Sequence, residues 1–176
     1  RDVAFTPDGA QVLAVQRDTD NVTFFDASTR SPLGTVAVGD FPVDVVVTPD
    51  GQYAVVPNVF SNDVTIIDVA TRTVAGTVPV TGEQPFRVAI TADSSKAVVG
   101  VITDGSTSRF SIIDLTTFTE SLSFPCADQG VVGFFATPET GTVGNIFSQF
   151  VITPDGTKII LPDIGNDRAI FYDGLT

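Results

Sequence analysis

Asp18-Thr19-Asp20-Asn21 sets two carboxylates and a carboxamide within four residues, oxygen donors of the kind Ca2+ takes. The glycine and the later glutamate of a calcium loop are missing, so the stretch also reads as a tight turn between strands. Asp18, Asp20 and Asn21 are therefore the weak metal candidates of the chain, and Ca2+ is the one cofactor they suggest. Asp163, Asn166 and Asp167 occupy the equivalent place near the C-terminal end and read the same way. Asp26, Asp68, Asp114 and Asp173 each follow two apolar residues, and Ser or Thr comes shortly after the first three. A carboxyl that recurs in every unit fits a hydrogen bond that each turn needs. A catalytic centre needs its acid once. Paired carboxylates can hydrolyse glycosides, but no single pair stands out.

Other chemistry is excluded by what is missing. There is no His, so imidazole bases, imidazole metal ligands and a Ser-His-Asp triad are impossible. Cys126 is the only cysteine; it can form no internal disulfide, no zinc site lies around it, and it reads as a small hydrophobe. Phosphate loops, Rossmann glycine fingerprints and nucleophile elbows are absent. With 9 Lys and Arg against 21 Asp and Glu, the net charge of −12 leaves no cationic surface for a phosphate backbone, so no nucleic-acid partner is expected. No apolar run approaches the roughly 18 residues of a membrane span. Hydrophobic residues make up 43% of the chain, enough for a real core rather than an acidic disordered tail. Only Lys96 and Lys158 are lysines, while Thr, Val, Asp and Gly abound, a composition that points to an extracellular, cell-surface or periplasmic setting. Asn21-Val22-Thr23 is a glycosylation sequon, relevant only in a eukaryotic secretory pathway.

The elements that position these residues repeat. Thr6-Pro7-Asp8-Gly9 recurs as Thr48-Pro49-Asp50-Gly51 and Thr153-Pro154-Asp155-Gly156, with Thr91-Ala92-Asp93-Ser94 a degenerate copy. The steps are 42, 43 and 62 residues, and the apolar-apolar-Asp landmark follows each Thr after 20, 20, 23 and 20 residues. Between landmarks run short β-branched and aromatic stretches: Val3–Phe5, Val12–Val15, Val22–Phe25 and Leu33–Val38, then Val43–Val47, Tyr53–Val56, Val64–Ile67 and Val74–Val80. Pro-Asp-Gly makes the turn because Pro fixes φ, Asp binds its own backbone and Gly accepts φ > 0. The third strand of each unit is apolar on both faces, as in Val22/Phe24 against Thr23/Phe25 and Val64/Ile66 against Thr65/Ile67. Only a sheet covered on both sides needs that. Four strands per unit of about 42 residues, stacked blade on blade, predict an all-β β-propeller of four-stranded antiparallel blades with almost no helix.

The stretch from Gly39-Asp40-Phe41-Pro42 through Thr48-Pro49-Asp50-Gly51, Val55-Val56-Pro57-Asn58, Asp63-Val64-Thr65-Ile66-Ile67-Asp68 and Thr77-Val78-Pro79-Val80 resembles the YVTN-family β-propeller repeat. Gly82-Glu83-Gln84-Pro85 repeats its glycine-x-x-proline corner, while the name-giving Tyr and Thr are absent from Val55-Val56-Pro57-Asn58. The resemblance implies an extracytoplasmic or surface propeller. Lactonase-like and quinoprotein-like relatives exist, but their catalytic motifs map onto no residue here.

The blades are expected at about 2–42, 43–86, 87–148 and 149–176, the last lacking its fourth strand. The chain has no Met, so Arg1 is not a translation start, and the expectation is a segment of a larger propeller. A ring completed by a second chain and a self-contained four-bladed ring are the alternatives. The long third step places an insertion within about 118–147, carrying Phe134, Phe135 and Phe147. These rings read as a partner-binding loop, as an extra hairpin, or as a long fourth strand folded back on its own blade. The function expected is a non-catalytic module that binds a protein or associates with itself through exposed blade edges. The alternative is part of a lactonase-like or quinoprotein-like enzyme whose active residues lie partly elsewhere. Melting curves of a Phe134→Ser plus Phe135→Ser variant separate the loop readings: unchanged stability for rings that bind a partner, a large loss for rings in a core.

Overall fold

The computed structural model describes residues 2–103, 107–125, 150–163 and 168–173. Cys126, Phe134, Phe135, Phe147, Asn166 and Asp167 lie outside the described residues. Among the described residues fifteen strands form four antiparallel sheets, and within each sheet a strand pairs with the next in chain order. The first sheet holds β1 (Val3–Phe5), β2 (Gln11–Gln16), β3 (Asn21–Asp26) and β4 (Pro32–Ala37); the second holds β5 (Val46–Val47), β6 (Tyr53–Asn58), β7 (Asp63–Asp68) and β8 (Thr73–Pro79). The third is built of β9 (Glu83–Ile90), β10 (Lys96–Thr103), β11 (Thr107–Asp114) and β12 (Thr119–Pro125), and the fourth of β13 (Val151–Ile152), β14 (Lys158–Asp163) and β15 (Arg168–Asp173). A 3-10 turn at Arg17–Thr19 is the one helical element among the described residues. Two boundaries differ from the sequence reading. β9 already starts at Glu83, where Glu83 pairs with Ile102 as the chain leaves the corner, not at residue 87. The regular repeat also runs on through β12 to Pro125, so the first part of the 118–147 segment is an ordinary fourth strand.

Each first turn is held by its threonine. Thr6, Thr48, Thr91 and Thr153 donate through Oγ1 to the Asp two residues on, at 2.5 to 2.6 Å. The same oxygen accepts the backbone N–H of Gln11, Tyr53, Lys96 or Lys158 at 3.0 Å, closing the hairpin from inside. Gly9, Gly51 and Gly156 take the left-handed backbone that ends this turn, with φ of 70°, 76° and 70°. At the second hairpin, Asp26, Asp68 and Asp114 accept backbone N–H groups two or three residues ahead. These three acids are turn caps, whereas Asp173 meets the Lys158 ammonium.

The sheets stack face to face, and side chains alternate between neighbours. Val22 and Phe24 point from the first sheet into a cluster with Ala54, Val56 and Ile67 of the second. On the opposite face of that second sheet, Val55, Val64 and Ile66 pack with Ala97, Val99, Val101 and Ile113 of the third. Val98, Phe110 and Ile112 meet Phe150, Ile159 and Leu161 of the fourth. One strand thus serves two cores, because successive side chains leave a strand on opposite sides. The sheets also meet at their first strands, β1 on β5, β5 on β9 and β9 on β13.

The glycine-x-x-proline corners carry the chain from the last strand of one sheet to the first of the next. Gly82 has φ of +111°, and a Cβ there would lie 2.6 Å from Thr103 Cγ2 and 2.9 Å from Val101 Cγ1. Asn62 Oδ1 accepts the Gln84 N–H at 2.9 Å, as Asp20 Oδ1 accepts the Phe41 N–H at 2.9 Å one corner earlier. Gly82→Ala is expected to cost about 2 kcal/mol or more of unfolding free energy, since backbone strain and overpacking add. Urea denaturation of the variant beside the parent chain measures it.

Candidate functional site

Among the turns and cores, most positions repeat from unit to unit. One set does not. Asp2, Asp44 and Arg87 each stand four residues before a turn threonine, Thr6, Thr48 and Thr91, in equivalent places on three successive inner segments. Because these first strands lie side by side, the shared register brings the three side chains together. Arg87 Nη1 is 3.6 Å from Asp2 Oδ2 and 3.8 Å from Asp44 Oδ2. The Asp2 and Asp44 carboxylates thus face the same guanidinium nitrogen.

Asp44 is the buried member, 4% exposed, whereas the Asp2 and Arg87 side chains remain 39% and 37% exposed. Its Oδ2 accepts the Val88 N–H at 3.1 Å from the next sheet, and its Oδ1 accepts the Val45 N–H at 2.9 Å. The second bond explains why β5 is shorter than the Val43–Val47 expected from sequence. The Val45 amide turns to a side chain, so the pairing with β6 that Pro42 and Val43 begin against Asn58 and Pro57 is interrupted and resumes at Val46. Burial, and then the Asp2 side chain beside it, push the Asp44 carboxyl up to about 6, against the opposing pull of the Val88 N–H and Arg87. The turn acids go the other way. The Thr29 N–H and the Ser28 hydroxyl hold Asp26 down to about 2, and the Thr91 hydroxyl and Ser95 N–H do the same for Asp93. A carboxyl near 6 can hold or release a proton at ordinary pH, which the turn carboxylates cannot.

The residues singled out as metal candidates are dispersed by the turn they build. Asp18 is exposed and lies 3.7 Å from Arg17 Nε. Asp20 turns its carboxylate to the Phe41 N–H, and Asn21 Nδ2 donates to Thr19 O and Oγ1 at 3.0 and 2.8 Å. Among the described residues no three acidic or thiol side chains come close enough to hold a metal ion. Beside this turn, Phe41 stacks on Phe60 with centroids 4.3 Å apart, and Arg17 lies over the Phe41 ring at 4.6 Å. Phe60 is 64% exposed. Neither the Phe41–Phe60 pair nor the Asp2–Asp44–Arg87 cluster was evident from motifs. The signal for the cluster was present, as an inner-strand register that changes charge from Asp2 and Asp44 to Arg87.

Hydrazine synthase of Kuenenia stuttgartiensis matches 97% of this chain at 25% identity with a TM-score of 0.76, over 45% of its own length. The dihydro-heme d1 dehydrogenase NirN, solved in complex with DHE, matches 98% of the chain at 18% identity and a TM-score of 0.68, over 35% of its length. Both are β-propeller proteins. The fold is a β-propeller. No family model and no curated protein matches the sequence. The chain spans less than half of either structural neighbour. In propeller terms the four sheets are blades, β1, β5, β9 and β13 face the axis, and the Asp2–Asp44–Arg87 cluster lies at the axial edge.

The raised carboxyl fixes a pH dependence. Asp44 binds its proton more tightly folded than unfolded, so its contribution is favourable below about pH 4 and is lost as pH rises to about 6. Asp44→Asn keeps the acceptor for Val88 and removes the ionisation. It should raise unfolding free energy by about 1–2 kcal/mol at pH 7 and leave it unchanged at pH 4. Chemical denaturation at the two pH values checks this.

Proposed function

We propose that this chain contributes one side of an axial small-molecule site in a propeller larger than its four blades. The observation that carries the reading is the buried Asp44 carboxyl set against Arg87 and Asp2 at the inner edge. A desolvated acid beside a half-exposed guanidinium is the kind of perturbed pair that binding and catalytic sites use. Two further facts support the setting. The neighbours extend well beyond the matched region, and both are named as enzymes. The site so described suits a propeller enzyme, with Asp44 as the proton-holding group and Arg87 as the group that orients the ligand. The YVTN-type repeat motifs and the lysine-poor, acidic composition favour an extracytoplasmic location for it.

A second reading has its own observation. Val3 and Phe5 on the first blade are 60% and 62% exposed, and Val151 and Phe171 on the last are 55% and 58% exposed. Strand faces this apolar are buried in the two middle blades, so the end faces suit covering by further blades or by another chain, the association role expected from sequence.

Both readings are open to direct measurement. Small molecules from a panel of carboxylates, amino acids and sugars that raise the melting temperature of the parent chain should stabilise Arg87→Gln at least tenfold less effectively at equal concentration. Equal stabilisation of the two proteins would remove the axial site from consideration. Light scattering at micromolar concentration should show that the isolated 176 residues associate; a monodisperse monomer would count against the second reading.

A further inference from the structure

The two uncovered faces are copies of faces that meet inside the chain. Phe171 holds the place on the fourth blade that Phe24, Ile66 and Ile112 hold on the others, where the side chain points forward into the next blade. Those three are at most 2% exposed, and Phe171 is 58% exposed. Val3 stands three residues before its turn threonine, as Val45, Val88 and Phe150 do on the back faces of the later blades. These are at most 8% exposed, and Val3 is 60% exposed. An open forward face thus lies on the fourth blade and an open back face on the first. Each junction between blades within the chain joins one face of each kind.

A second match runs along the outer edge. Arg72, four residues after the turn cap Asp68, reaches back over the first blade. Its guanidinium lies 6.0 Å from the centre of the Phe24 ring and donates to Gln11 Oε1 at 3.3 and 3.4 Å. Phe118, four residues after Asp114, reaches back in the same way and meets Tyr53 edge-on at 5.3 Å. Arg30 has this place on the first blade and is exposed. On the fourth blade Phe171 is the counterpart of Phe24, and Asp173 that of Asp26. Set against that blade, Arg30 finds a ring to lie over, as Arg72 does. It also finds a counter-charge in Asp173, whose side chain is 78% exposed and which Lys158 already shares.

Resting on the association reading above, we propose that the partner is a second copy of this chain, joined head to tail, the first blade of each copy covering the fourth blade of the other. A contact between two unlike faces repeats until the assembly closes into a ring or runs on as a filament. Propellers close at about four to eight blades. The four blades here leave both end faces open, so they do not close on themselves, and two copies make eight. The pair is a ring with two identical new junctions, each built like the three within a chain. It carries the Asp2–Asp44–Arg87 cluster twice around one axis.

Gel filtration with light scattering at micromolar concentration should give the parent protein the mass of two chains. Phe5→Glu and Phe171→Glu, both at exposed positions, should each give the mass of one chain, with melting temperatures close to the parent's to show that they fold. Neither variant pairs with itself, since every junction then carries a glutamate. Mixed one to one, the two should pair again, because Phe171 of one meets Phe5 of the other at one intact junction. Arg30→Ala should weaken the parent pair about threefold or more. A single-chain mass for the parent would overturn this proposal and the association reading together. Assemblies that grow past two chains with concentration would overturn the ring and leave the association reading standing. So would a pair that only one of the two glutamate variants breaks, because like faces would then be meeting. Variants that stay single in the mixture would overturn the head-to-tail arrangement.

Discussion

A sheet that is apolar on both faces has to be covered on both faces, and this constraint governs the whole molecule. Phe24, Ile66 and Phe110 point forward from their blades, and Ile67 and Ile113 point back, so each central blade is the floor of one core and the roof of the next. Burying these side chains is worth about 1.5–3 kcal/mol each, and none of it is available to a blade alone. The hairpins are short and would be marginal in isolation. Stacking makes them a structure. The same stacking sets the first strands side by side, and that brings Asp2, Asp44 and Arg87 to one place although they are far apart in sequence.

Most of the architecture was legible in the residues because its causes are local. Thr6, Thr48, Thr91 and Thr153 close their hairpins through atoms at most five residues away. Asp26, Asp68 and Asp114 cap turns three residues long. The alternation of apolar residues in β3, β7 and β11 states that both faces are buried. Repetition then confirms each local reading several times over, which few single-copy folds offer.

The candidate site was hidden for the complementary reason. Repeat analysis looks for what recurs, and recurrence in this chain marks scaffold. Asp44 by itself resembles any of the many turn aspartates, and Arg87 any surface arginine. Their meaning comes from the superposition of three inner segments, and from a burial that depends on the neighbouring blade. The Val88 amide that anchors Asp44 belongs to a strand more than forty residues away. Asp18, Asp20 and Asn21 are neighbours in sequence, which is not the same as having neighbouring oxygen atoms. Once the turn folds, Asp20 faces the next corner and Asn21 faces back onto Thr19.

The one degenerate turn carries a further consequence. Ser94 adopts φ of 61°, a conformation its glycine counterparts reach more easily, yet its hydroxyl accepts the Asp50 N–H of the preceding blade at 3.1 Å. Elsewhere along this rim, the Cβ that Gly51 lacks would lie 3.4 Å from Pro7 of the blade before, and that of Gly156 would lie 4.0 Å from Thr91. The turns therefore form a course of abutting parts, like stones in an arch. A Cβ at Gly51 or Gly156 would meet the neighbouring turn at ordinary van der Waals distance, and at position 94 the serine makes that joint a hydrogen bond.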